Sequence, residues 1–248
     1  LDDSSTTIAL GEALRAPGKQ ALFAHVRRLH LPGALDPAAA ERLATALEAT
    51  PDWERTLVDG ERQFDVPPAE LAAMSPQAQV ALHRSVYETA RAGFGYLFET
   101  VRISNLVRAG RPVDPAFAEL FRFLNGPAFL QAIADLTGDD RGVYVDAQAT
   151  RYLPGFFLNS HNDHVEGRDR LFAYVLNLSR EWRTDWGGLL LFHDEAGNVA
   201  EGYAPAFNAL NLFAVPQRHS VSLVAPFAGA PRLSITGWIR SRVPEGED

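Results

Sequence analysis

From Val143 onward the chain reads as a series of short strands. "VYVDAQATRYL", "LFAYVLNL", "GLLLFH", "ALNLFAV", "HSVSLVA" and "RLSITGWIR" are separated by turn signals. Each is too short for a typical helix and rich in β-branched or aromatic residues. Many such strands in succession specify a sandwich or small barrel. The first half has a different texture. Asp36–Pro37, Ser75–Pro76 and Asp114–Pro115 each put a capping side chain before a proline, and a helix-forming run follows each. That pairing opens helices. Val80, Tyr87, Phe94 and Leu97 recur at helical spacing in "MSPQAQVALHRSVYETARAGFGYLF". Asn125–Gly126 reads as a stop, and Gly138 closes "PAFLQAIADLTGDD". The stretch 52–68, "DWERTLVDGERQFDVPP", fits neither texture and reads as a loop or short hairpin that covers a site. The expectation is one compact α+β domain over 1–248. A mainly helical region at 20–140 supports a mainly β core, an antiparallel double sheet, at 143–242.

Composition narrows the chemistry. The chain has 248 residues, 46% of them hydrophobic, enough for a sizeable core. No apolar run reaches the length of a membrane span. The net charge of -8, without a Lys/Arg-rich cluster, argues against a nucleic-acid partner. There is no cysteine, so thiol catalysis, disulfides and Cys-based zinc or iron–sulfur sites are excluded. A metal site must use His, Asp and Glu. The opening "LDDSSTTIAL" lacks the basic and apolar regions of a signal peptide, although the chain starts at Leu, and a cytoplasmic location is expected. No coiled-coil pattern sets an oligomeric state.

Three His-x-acid pairs compete: His161/Asp163, His164/Glu166 and His193/Glu195. With seven histidines and 31 acids the pattern is cheap, and a lone pair carries little weight. A metal on one face of a sheet wants ligands at i and i+2, since alternate strand residues share a face. It then needs a third ligand from a distant strand. His219 heads an alternating run 58 residues after His161. Two imidazoles and a carboxylate form the facial triad of non-haem Fe(II) oxygenases, which leaves positions for a bidentate co-substrate and dioxygen. A dicarboxylic 2-oxo acid would need a buried cation for its far carboxylate, and Arg provides a bidentate fork. In "RLSITGWIR", read as a strand, Arg232, Ser234, Thr236 and Trp238 share one face and Leu233, Ile235, Gly237 and Ile239 the other. The alternative is an edge strand with its polar side in water.

Taken in order, "RYLPGFFLNSHND", "FAYVLNLSREWRTDWGGLLLF", "NALNLFAVPQRHSVSLV" and "PRLSITGWIRS" resemble the prolyl-4-hydroxylase-like branch of the Fe(II)/2-oxoglutarate-dependent dioxygenases. The resemblance implies a double-stranded β-helix of the jelly-roll or cupin kind with supporting N-terminal helices. It implies iron ligands at His161, Asp163 and His219, and Arg232 on the far carboxylate of 2-oxoglutarate. Tyr152 sits where relatives place a phenol near the co-substrate. Ser234 falls in an Arg-x-Ser arrangement on the same carboxylate, and Thr236 and Trp238 line the pocket. Two departures stand out. The interval from His219 to Arg232 is lengthened by "APFAGAP", and a tyrosine common in relatives is Val175 here, with Tyr174 expected to face the other way.

The implied reaction is hydroxylation of a C–H bond, with 2-oxoglutarate and O₂ consumed, succinate and CO₂ released, and ascorbate a candidate reductant. The implied substrate is a prolyl residue in a peptide or protein, with a free amino acid or small metabolite as the alternative. His164 and Glu166 read as a solvated loop beside the site, and His193 and Glu195 as a polar hairpin. Arg168 and Arg170 are placed to meet a substrate carbonyl or acid, or to form a structural salt bridge. The rival readings are a His/Asp zinc hydrolase, which would not need Arg232, and a non-catalytic binding module on the same scaffold.

Overall fold

The computed structural model describes residues 8–15, 18–60 and 62–244. Helices α1 (Glu12–Arg15) and α2 (Lys19–Val26) lead into strand β1 (Arg28–Pro32) and helix α3 (Pro37–Ala49). A hairpin of β2 (Glu54–Asp59) and β3 (Arg62–Val66) is followed by α4 (Pro68–Ala73), α5 (Pro76–Ala92) and β4 (Tyr96–Val101). Helices α6 (Ile103–Arg108), α7 (Pro115–Leu124) and α8 (Pro127–Thr137) come next. The chain then runs through β5 (Tyr144–Val145), β6 (Gln148–Tyr152), β7 (Phe157–His161), β8 (Arg170–Asn177) and β9 (Leu190–His193). It ends in β10 (Val199–Tyr203), β11 (Ala209–Ala214), β12 (His219–Val221) and β13 (Arg232–Arg240).

The cap-and-proline signals open α3, α5 and α7. Asp36 accepts from the Ala39 amide at 2.9 Å and Ser75 from Ala78 at 3.2 Å, while Asp114 accepts from Ala116 at 2.8 Å. Each satisfies an amide that the first helical turn leaves free. Gly138 ends α8 in the left-handed region, at φ 74°, where a side chain would be strained.

One antiparallel path of strands runs β1-β11-β8-β13-β6-β4-β7-β12-β9-β10. The two end strands meet through side chains rather than a ladder. Arg28 of β1 pairs with Glu201 of β10, and the His30 ring stacks on Tyr203 with centroids 4.6 Å apart. The path has therefore curled almost into a closed barrel, the double-stranded β-helix with supporting helices expected from the sequence.

Strand alternation separates the two sides of this barrel. Leu233, Ile235 and Ile239 of β13 join a core with Phe117, Leu120 and Leu124 of α7 and Phe129 of α8. Each such side chain, fully buried, stabilises the fold by roughly 1.5–3 kcal/mol. Arg232, Ser234, Thr236 and Trp238 lie on the opposite, inner face. On β8, Tyr174 and Leu176 join the helix-side core, while Ala173 and Val175 pack inside with Leu190, Phe192 and Phe213. Tyr174 therefore faces away from the barrel interior, as expected, and donates to the Asp146 carbonyl at 2.7 Å.

The structure corrects the helical reading of residues 75–98. α5 stops at Ala92, Gly93 and Gly95 follow, and Tyr96–Val101 is a strand. Val80 is 69% exposed, and Tyr87 and Phe94 are exposed as well. The helix instead packs through Leu82, Val86 and Ala90, an i, i+4, i+8 stripe against Leu57 and Phe157. The region expected to be mainly helical also supplies β1 to β4. Stretch 52–68 contains a hairpin whose β2 is bonded to β4. Among the described residues, no helix is long and apolar enough to cross a membrane.

Candidate metal centre and its cavity

His161 closes β7 and His219 opens β12, and these strands pair with the two histidines directly opposite. Ring centroids are 4.1 Å apart. Asp163 lies two residues past His161, beyond the end of the strand, at φ 60°. Asp enters this left-handed region more readily than most side chains. The alternation argument does not describe how the pair is brought together: a turn, not a shared strand face, brings Asp163 back to His161 and His219. Arg170 Nη1 holds that turn by donating to the Asp163 carbonyl at 3.0 Å.

The Asp163 carboxylate lies 3.3 Å from His161 Nε2 and 3.4 Å from His219 Nε2. Donor atoms of the three residues all fall within 4.8 Å of one another, a grouping able to hold a metal ion. His161 Nδ1 is 2.9 Å from the Asn159 carbonyl, and His219 Nδ1 is 2.8 Å from that of Gln217. A carbonyl can only accept, so both Nδ1 atoms donate, which leaves each Nε2 turned toward Asp163. This second set of contacts fixes tautomer and ring orientation as a metal site requires.

Electrostatics favour a neutral His219 and an ionised Asp163. Burial, with smaller contributions from His161 and His193, pushes His219 down to about 4, against the opposing pull of Asp163. Burial alone would raise Asp163. The neighbouring His161, His219 and Arg170, with His161 contributing most through its hydrogen bond, outweigh it and hold the carboxyl below its usual value. Neutral imidazoles and an ionised carboxylate are the forms that bind a metal.

Beside the triad is a cavity of about 930 Å³. Arg232 lines it and is only 1% exposed. Its Nη1 donates to Ser234 Oγ at 3.2 Å and its Nη2 to Asn177 Oδ1 at 3.4 Å, and its Nε is buried with no partner. Among the described residues no carboxylate pairs with it. A buried cation without an anion is costly, and burial alone pushes its pKa down. Beyond the "APFAGAP" segment, Arg232 lies opposite Tyr152 of β6. The edge-strand alternative fails, because β13 runs between β8 and β6.

Tyr152 lines the cavity, under the Arg232 guanidinium at 5.1 Å from its ring centre. Burial pushes its hydroxyl pKa up, so it remains protonated. Ser234 is buried behind Arg232 and shares a 2.8 Å hydrogen bond with Thr150. Thr236, which accepts from Gln148 at 3.2 Å, and Trp238 both line the cavity. Asn177 and Thr150 escaped notice in the sequence. An Asn inside the apolar run "FAYVLNL" was the available signal, because a buried amide needs buried partners.

The rival pairs separate from the centre. His164 lines the mouth of the cavity but is exposed, and Glu166 is exposed. His193 bonds Ser220 Oγ at 2.8 Å, and Glu195 lies in an exposed turn. Arg168 and Arg170 both line the cavity. Thr56, Gln63 and Asp65 of the β2–β3 hairpin form a wall of it, anchored by an Arg102–Asp65 ion pair of 2.5 Å.

Residues 147–240, which carry the triad and Arg232, match the model of the 2OG-Fe(II) oxygenase superfamily. The likeness extends to solved structures. An oxidoreductase of the 2OG-Fe(II) oxygenase family from Burkholderia pseudomallei is 17% identical, with TM-score 0.58 over 90% of each chain. SnoN, a non-heme α-ketoglutarate-dependent epimerase from nogalamycin biosynthesis, is 12% identical, with TM-score 0.55 over 92% of this chain and 83% of its own. A Pseudomonas putida prolyl-4-hydroxylase is 20% identical, with TM-score 0.47 over 81% of this chain and all of its own. The first two likenesses establish the fold. No curated protein matches the chain. The segment bearing the site is thus similar to 2OG-Fe(II) oxygenases, in accord with the resemblance read from the sequence.

Proposed function

We propose that this chain is an Fe(II)- and 2-oxoglutarate-dependent dioxygenase that hydroxylates a C–H bond of a substrate bound in the cavity. The observation that carries the reading is the pairing of a His161/Asp163/His219 donor set with a buried, carboxylate-free Arg232 in one cavity. The donor set suits Fe(II), and a zinc hydrolase would have no use for Arg232.

His161, Asp163 and His219 would hold the iron. Arg232, braced by Ser234 and Asn177, would receive the far carboxylate of 2-oxoglutarate, and the protonated Tyr152 hydroxyl would donate to the co-substrate. Bound iron supplies the oxidising chemistry: 2-oxoglutarate and O₂ become succinate and CO₂, and one oxygen atom enters the substrate, with ascorbate as a reductant that keeps the metal ferrous. The chain's own part is orientation and exclusion of water. Phe213 contributes to this by packing its ring 4.6 Å from that of His219.

The sequence resemblance points to a prolyl residue in a peptide or protein, while Arg170, which lines the cavity, favours a small carboxylic acid. Anaerobic titration with 2-oxoglutarate tests the common claim. Fe(II)-loaded protein binds it, Asp163→Ala loses iron and turnover, and full iron-dependent activity in that variant defeats the ligand assignment.

A further inference from the structure

Seven buried side-chain polar atoms of the described residues have no hydrogen-bond partner, and three belong to cavity-lining residues: the Nε atoms of Arg170 and Arg232 and the Nε1 of Trp238. All three are N–H donors. Buried donors left unpaired are costly, and the two arginines among these residues line the cavity and carry further N–H groups able to meet an acceptor. Arg232 is assigned to the co-substrate above. Arg170 and Trp238 are left over, and they act as a unit. The Arg170 guanidinium lies 3.5 Å from the centre of the Trp238 ring. Such stacking fixes the plane of the fork and leaves its edge for hydrogen bonding.

Arg170 has one protein acceptor, the Asp163 carbonyl, and no described carboxylate forms an ion pair with it. Its charge is opposed only at longer range, by Asp163 and Asp146, while Arg240 and Arg168 crowd it with like charge. A peptide carbonyl would satisfy its N–H groups but not its charge. A carboxylate satisfies both, in the bidentate geometry that guanidinium matches. The cavity, about 930 Å³ with the co-substrate still to be held, is of the size that encloses small ligands.

Resting on the dioxygenase reading above, we infer that the stacked pair Arg170–Trp238 is the substrate-anchoring subsite, and that the substrate is a small molecule bearing a free carboxylate. The anchor and the metal site are mechanically joined, because the same guanidinium that grips the acid also holds the turn carrying Asp163.

The test uses full-length protein loaded with Mn(II), which blocks turnover, and saturated with 2-oxoglutarate. Ligand-observed NMR is run on three pools: free L-amino acids with short aliphatic and 2-hydroxy acids, the primary amides of the same compounds, and end-blocked proline-containing peptides. Free acids bind, and each acid binds at least about tenfold more tightly than its amide, as a charge-assisted hydrogen-bond pair implies. Arg170→Gln erases that acid-to-amide ratio and Arg170→Lys restores part of it. The ratio is independent of the fraction of protein correctly folded. Binding of amides or blocked peptides as tight as that of the acids overturns the inference. So does failure of every acid to bind, or an unchanged ratio in Arg170→Gln. Failure of 2-oxoglutarate itself to bind the metal-loaded protein defeats the parent reading instead.

Discussion

Replacing Arg232 with methionine separates ligand binding from stability in opposite directions. The guanidinium is 1% exposed, bonded only to neutral groups at 3.2 and 3.4 Å, with its Nε unpaired. The protein alone therefore bears the cost of burying this charge, and on the proposed reading the co-substrate's far carboxylate would supply the compensating pair. Truncating one partner of a buried, hydrogen-bonded charge pair costs about 2–5 kcal/mol. That range corresponds to a Kd for 2-oxoglutarate weaker by roughly 30-fold to several thousand-fold. Ligand-free Arg232→Met should meanwhile melt no lower than wild type, because an apolar side chain of similar length replaces an uncompensated charge. Isothermal titration under anaerobic conditions measures the first effect and calorimetry the second. Pyruvate serves as control: it lacks the far carboxylate, so its affinity should be the same in both proteins. Unchanged 2-oxoglutarate affinity, or an equal loss for pyruvate, would refute the reasoning.

Further outcomes follow from other residues. Ser234→Ala removes one neutral brace of Arg232 and should weaken 2-oxoglutarate by about 2- to 10-fold, the span of a single neutral hydrogen bond; an unaltered Kd places the brace elsewhere. Glu99 is buried between Arg55 at 2.8 Å and Arg151 at 2.6 Å. Glu99→Gln should cost about 3–5 kcal/mol in urea unfolding by leaving buried cations unpaired, and a loss below 1 kcal/mol would show that water or rearrangement compensates. His219 is pushed from its ordinary 6.5 to about 4. Between those values the unfolded chain binds a proton that the folded, metal-free protein refuses. The His219 contribution is therefore complete above pH 6.5 and lost as pH falls toward 4, on the order of 3 kcal/mol. Denaturation curves of metal-free wild type and His219→Gln should converge over that window, and parallel curves would contradict the shift.

Much of the core was legible because its signals are local. The cap-plus-proline pairs marked three helix starts, and the alternation in "RLSITGWIR" separated the polar inner face of β13 from its apolar outer face. What was missed depends on partners. β4 was read as a continuation of α5, since Phe94 and Leu97 happen to extend its helical spacing. Only the packing of Leu82, Val86 and Ala90 reveals the true buried stripe. β7 carries His161 yet went unrecognised, because "FLNSH" has little apolar alternation of its own and is defined by pairing with β4 and β12. The triad was found through residue types, but the turn at Asp163 was not, as its φ of 60° is held partly by Arg170, seven residues on. Asn177 was overlooked for the same reason: its value lies in Arg232, 55 residues away.

Succinate release from 2-oxoglutarate by anaerobically iron-loaded protein, followed before and after oxygen is admitted, tests the account most directly. Even without the prime substrate, slow turnover should appear only when Fe(II) and O₂ are both present, and should vanish in His219→Ala. Succinate formed without iron or oxygen, or undiminished in His219→Ala, would contradict a dioxygenase centred on His161, Asp163 and His219.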